Sequence, residues 1–84
     1  MAIAFITGAT SGFGQAIALK FAEHGWDVII NGRREERLNQ LEKVIRETYE
    51  VKVFTLPFDV RDQTEVENNI KSLPHDWKKI DVLI

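Results

Sequence analysis

The chain has 84 residues, enough for one small domain that buries roughly 60–70% of the surface its unfolded form exposes. Its residues are 44% apolar and 29% charged, which excludes a disordered chain, and a formal net charge of −2 excludes a bulk basic field for nucleic acid or an anionic membrane. The absence of cysteine removes a disulfide framework, a thiolate zinc site and a cysteine nucleophile together.

Along the chain, short apolar runs alternate with segments of helical period. Ala2 to Ile6 is a continuous apolar run closed by glycines, and Phe13 to His24 follows with Ile17 and Phe21 at helical spacing and Gly25 as its C-terminal cap. Val28-Ile29-Ile30 is the second run, closed by Asn31-Gly32. From Glu35, the residues Leu38, Leu41, Val44 and Ile45 recur at three and four, with charged residues between them. Val51 to Leu56 is a third run, closed by Pro57. Asp62 and Glu65 resemble a capping box for a helix with Val66, Ile70 and Leu73 on one side, ended by Pro74. Leu73 to Ile80 reads as a long surface connection, and Val82-Leu83-Ile84 opens a fourth run.

Runs of this kind, bounded by turn residues, suit strands buried on both faces. Strand, helix, strand, helix, strand, helix, strand predicts an α/β fold: a doubly wound parallel sheet of the Rossmann type, order 3-2-1-4, with two helices on one face and the third on the other. The expected core comprises Ile3, Phe5, Val28, Ile30, Val53, Phe54, Val82 and Ile84 from the strands. From the helices it takes Ile17, Phe21, Leu38, Leu41, Ile45, Val66 and Ile70. Residues 1–84 read as the N-terminal dinucleotide-binding portion of a single domain, interrupted in its fourth strand.

The informative stretch is Thr7-Gly8-Ala9-Thr10-Ser11-Gly12-Phe13-Gly14, between the first strand and the first helix. One glycine permits the tight turn, a second lets backbone approach a pyrophosphate, and a third lets helix pack on strand. The helix N-terminus supplies free N–H groups and a positive dipole end, and Thr10 and Ser11 can add hydroxyls. A glycine-rich turn without a ligand is the alternative. A nucleoside triphosphatase loop is excluded, because Gln15 follows the last glycine.

After the second strand, an NAD site carries a carboxylate for the adenosine ribose. Here Asn31-Gly32-Arg33-Arg34 comes first, and two guanidiniums at that point suit a 2′-phosphate. The implied cofactor is NADP. A solvated basic pair is the plainer reading, but cations just before a helix are disfavoured by its dipole, and a phosphate supplies a reason for them.

Other residues invite no chemistry. His24 and His75 stand 51 positions apart without ligating partners, and Lys78-Lys79 reads as a solvated pair. Trp26 is expected at a helix–strand corner, Trp77 in the connection to the fourth strand, and Tyr49 at the end of the second helix. No apolar run approaches the ~18 residues of a membrane span, and the N-terminus lacks signal-peptide character. The expected setting is cytoplasmic.

These motifs resemble those of the short-chain dehydrogenase/reductase family. Thr-Gly-x-x-x-Gly-x-Gly from Thr7 to Gly14, Arg33-Arg34, Asp59-Val60 and Asp81-Val82-Leu83-Ile84 carry the resemblance, which covers all 84 residues. Gly12-Phe13-Gly14, Gly32-Arg33-Arg34, Arg37-Leu38 and Leu73-Pro74 to Trp77 are similar to the NADP-dependent 3-hydroxy acid (serine or allo-threonine) dehydrogenases within it. The resemblance implies that Gly8, Ala9, Thr10, Ser11, Gly12, Phe13 and Gly14 line the pyrophosphate and adenosine. It further implies that Arg33 and Arg34 hold the 2′-phosphate, that Asp59 accepts from the adenine amino group, and that Val60 packs beside the ring.

It also implies hydride transfer between NADP(H) and a hydroxy acid or related alcohol, in a protein that is a homo-oligomer at full length. The family's Asn-Asn-Ala-Gly stretch, serine and Tyr-x-x-x-Lys pair have no counterpart in these 84 residues. Tyr49 has Val53, not lysine, four positions on. Two readings follow: the cofactor-binding half of an oxidoreductase, or a module that holds NADP, or only the fold, without chemistry. Taken alone, the chain is expected to be inactive and marginally stable, with an apolar fourth strand inviting association.

Overall fold

Four strands and three helices alternate along the chain in the computed structural model, which describes residues 2–58, 61–77 and 79–84. They are β1 (Ile3–Ile6), α1 (Gly12–Glu23), β2 (Asp27–Gly32), α2 (Glu35–Thr48), β3 (Val53–Pro57), α3 (Gln63–Lys71) and β4 (Val82–Leu83), with a 3-10 turn at His75–Trp77 before β4. The strands form one parallel sheet in the order β3-β2-β1-β4, as the alternation of periods predicts. In β1, Ala4 lies beside Val28 on one flank and beside Val82 on the other. The first strand in sequence is therefore interior to the sheet.

Alternate residues of each strand face opposite layers, the period of two that a pleated strand imposes. Ala4, Ile6, Val28, Ile30 and Val53 pack with residues of α1 and α2, notably Ala18, Ala22, Leu38, Leu41 and Ile45. Ile3, Phe5, Ile29 and Leu56 pack on the other face with Phe58 and Leu73, flanked by Val66 of α3 and by Trp77. Two helices on one face and one on the other is the expected double winding. Every residue of β1 and β2 is buried. The Cα radius of gyration is 11.6 Å, close to the ~12 Å of a compact chain of this length.

Several core expectations are corrected. The inner face of α1 is Gly14, Ala18 and Ala22, while Ile17 and Phe21 are only half-buried. The helix lies too close to the glycine loop for larger residues: a Cβ on Gly14 would collide with the Gly8 carbonyl and come within 2.9 Å of the Ala9 Cα. Phe21 instead meets Trp26 edge-on, with centroids 5.0 Å apart, at the corner between α1 and β2. Phe54, Val66 and Val82 are half-buried, and Ile70 and Ile84 are exposed. No residue of α3 is fully buried, and β4 is an edge strand, so neither element has a second layer over its outer residues.

The Leu73–Ile80 connection is also less superficial than expected. Leu73 is buried, and the Trp77 ring lies 5.6 Å from that of Phe54.

The helix ends follow local chemistry. Gly25, at φ +84°, turns the chain out of α1. The Asp62 carboxylate accepts from the N–H groups of Thr64 and Glu65 and so caps α3. On α2, Arg46 pairs with Glu42 at 3.2 Å and donates to the Val53 carbonyl at 2.9 Å, tying the helix to β3.

Candidate cofactor site

The glycine loop is shaped from within. Gly8 adopts φ +61°, a left-handed conformation that side-chain-bearing residues seldom take. The Ser11 hydroxyl donates to the Gly8 carbonyl at 2.8 Å and accepts from the Gly14 N–H at 3.1 Å, so Ser11 is the N-cap of α1. The Ala9 N–H donates to the Asn31 carbonyl at 2.6 Å, holding the loop against the end of β2. An unoccupied first turn remains at Gly12 and Phe13, whose N–H groups precede the first intrahelical acceptors.

The three glycines are distinguishable by their surroundings. A Cβ on Gly14 has no room, whereas one on Gly12 would meet nothing within 4 Å. Gly14 therefore serves helix packing. Gly12 answers no need internal to the protein, and its open space lies at the positive end of the helix dipole. A pyrophosphate would fill such a cradle, and these residues fit one.

Beside this turn, at the C-terminal ends of the strands, lies a cleft of about 330 Å³. Gly8, Thr10 and Ser11 line it from the glycine loop, Asn31, Gly32 and Arg33 from the end of β2, and Phe58 and Arg61 from beyond β3. Asn31 is buried and joins these walls. Its amide donates to the carbonyls of Leu56 (2.9 Å) and Phe58 (3.0 Å), while its own carbonyl holds Ala9. Gly32 is also required by packing, since a Cβ there would lie 2.7 Å from the Thr10 methyl.

The residues singled out by sequence are distributed around this cleft. Gly8, Thr10, Ser11 and Arg33 line it, Ala9 is buried beneath the loop, and Gly12 and Phe13 lie at the adjoining helix end. Phe13 is 84% exposed. Arg34 is exposed at the N-cap position of α2, with no side-chain capping bond. Among the described residues neither Arg33 nor Arg34 forms a salt bridge. The expectations for Asp59 and Val60 lie outside the described residues. Sequence reasoning missed Asn31 and Arg61. A buried amide closing an apolar strand was a signal for the first; the second has no motif of its own.

A parallel sheet with a glycine turn and a cationic cleft at its C-terminal edge defines a nucleotide-binding α/β protein. The family model for short chain dehydrogenase matches residues 2–84, and the chain belongs to that family. It is 45% identical over 82 residues to sulfoacetaldehyde reductase 2 of Chromohalobacter salexigens, covering 98% of this chain and 32% of the relative. An NADP-dependent 3-hydroxy acid dehydrogenase of Salmonella typhi matches at the same identity and coverage. Among solved structures, serine dehydrogenase from Escherichia coli superposes with a TM-score of 0.81 at 40% identity, covering 96% of this chain and 36% of that one. L-Sorbose reductase from Gluconobacter frateurii, complexed with NADPH and L-sorbose, gives 0.90 at 30% identity, with 98% and 31% covered. The chain thus spans about a third of the length of the curated relatives it matches.

Proposed function

We propose that residues 1–84 form the N-terminal cofactor-binding portion of an NADP-dependent oxidoreductase. The observation that carries this reading is the glycine turn. Gly8 is left-handed, Gly14 has no space for a side chain, and Gly12 has space that only a ligand would use. Two of the relatives bear it out by name, one as an NADP-dependent dehydrogenase and one as a reductase complexed with NADPH.

When bound, NADP(H) accepts or supplies a hydride. The chain's own residues bind and orient. The loop from Gly8 to Gly14 presents N–H groups and the α1 dipole to the pyrophosphate, and Ala9 keeps that loop against β2. Arg33 and Arg34 hold the 2′-phosphate; Asp59 accepts from the adenine amino group, and Val60 lies beside the ring. The substrate is a hydroxy acid or a related alcohol or carbonyl compound. The whole protein works in the cytoplasm as a homo-oligomer. The Tyr and Lys that would move the proton in this family belong to parts of the fold beyond these strands.

Titration of the chain with NADP and with NAD tests the cofactor. Each charged hydrogen bond to a phosphate is worth about 1.5–3 kcal/mol, or roughly ten- to a hundredfold in affinity. Changing Arg33 and Arg34 to Ala should weaken NADP by at least that factor and leave NAD nearly unchanged. Equal loss of both would reject the 2′-phosphate assignment.

A further inference from the structure

We infer that Arg61 is a further cation of the 2′-phosphate site, reaching it from the β3 side of the cleft; the inference rests on the NADP reading above. Arg61 stands just past β3, three residues beyond Phe58, and lines the same cleft as Arg33 from the neighbouring strand end. The two guanidiniums converge on one space of about 330 Å³, small enough that a single phosphate lies within reach of both.

The described lining of that space contains no carboxylate. Two like charges facing one cleft repel unless an anion lies between them, and the repulsion becomes attraction when a phosphate enters. Guanidiniums suit this task because their fixed forks can each engage phosphate oxygens in two parallel bonds. The wall is also held in place. Asn31 clamps the carbonyls of Leu56 and Phe58, so the chain leaving β3 starts from a fixed point beside Arg33. The floor beneath is Phe58, which is buried, so a base can lie against it while its ribose phosphate meets the two cations.

The test is isothermal titration of the full chain with adenosine 2′,5′-bisphosphate and with adenosine 5′-monophosphate, which differ by the 2′-phosphate alone. The wild-type chain should prefer the bisphosphate. Arg61→Gln should lower that preference about tenfold, changing the affinity for the monophosphate less than threefold. Arg61→Lys, which keeps the charge but loses the fork, should keep part of the preference. Arg61 is exposed, so the far-ultraviolet circular dichroism of both variants should match the wild type.

If the wild-type chain shows no preference, the NADP reading fails and the inference with it. If the wild type prefers the bisphosphate, Arg33→Gln abolishes the preference and Arg61→Gln leaves it intact, the NADP reading stands and the assignment of Arg61 is overturned. Equal weakening of both ligands by Arg61→Gln also overturns it, because the contact would then be with the base.

Discussion

Gly12 and Gly14 are two positions apart, yet they answer to different demands. Gly14→Ala pushes a methyl into the Gly8 carbonyl, a backbone atom with no rotamer to escape into. Overpacking of this kind costs about 1–3 kcal/mol, which urea denaturation of the variant should register. Gly12→Ala meets open space in the first turn of a helix and should leave stability within about 0.5 kcal/mol of the parent. The same variant should lose most of its NADP affinity, because its methyl occupies the cradle a pyrophosphate would need. The spacing of the glycines was legible in the sequence, but their division of labour was not, since it depends on how closely α1 approaches the loop. Ser11 shows the same limit. A hydroxyl beside a glycine turn suggested a phosphate donor, whereas the structure engages it in capping α1.

Among the elements, α2 and α1 show when periodicity locates a buried face. On α2 the apolar residues stand among charges, and Leu38, Leu41 and Ile45 are buried as their spacing predicts. On α1 nearly every residue is apolar or small, so spacing alone does not choose a side, and close packing selects Gly14, Ala18 and Ala22. Ala18→Leu should therefore destabilise the fold by about 1–3 kcal/mol through overpacking. Ile17→Ala should cost about 1 kcal/mol or less, because the side chain is only half-buried and its loss leaves no closed cavity. Thermal melts of the two variants check the order; a larger loss at Ile17 would place the wrong side of the helix against the sheet. The short strand β4 was legible from its apolar run and its position after α3, although Ile84 lies beyond the assigned strand.

The whole molecule has an accessible surface of 5469 Å², slightly above the roughly 5100 Å² typical for its mass. Part of the excess is at β4, where Leu83 is 67% and Ile84 44% exposed on a sheet edge. Apolar residues on an edge with unpaired backbone groups promote pairing with another chain. Sedimentation of the 84-residue chain at rising concentration should show self-association, and Leu83→Lys should suppress it. A wild-type chain that stays monomeric across that range would contradict the expectation. The strand order was legible because crossover handedness and the alternation of periods allow few topologies. The exposure of Ile70 was not, because it depends on how little of the outer layer α3 covers.

The placement of β1 also bears on how the chain acquires its fold. The Ile3 N–H donates to the Asp81 carboxylate at 2.9 Å across a separation of 78 residues. The Ile84 carbonyl takes both the Thr7 N–H (2.9 Å) and the Thr7 hydroxyl (2.7 Å). The earliest strand to be synthesised is thus flanked on one side by the last, and the turn that would meet the pyrophosphate is anchored only when the final residues arrive. Contacts this remote in sequence form late, because the entropy of closing the loop must be met before they reward it. Asp81→Ala should consequently speed unfolding while leaving the refolding rate nearly unchanged, a split that the two arms of a denaturant chevron resolve. During synthesis, β1 and β2 can pair as soon as α1 has emerged, but the β4 flank of β1 stays an open template until the chain reaches Asp81.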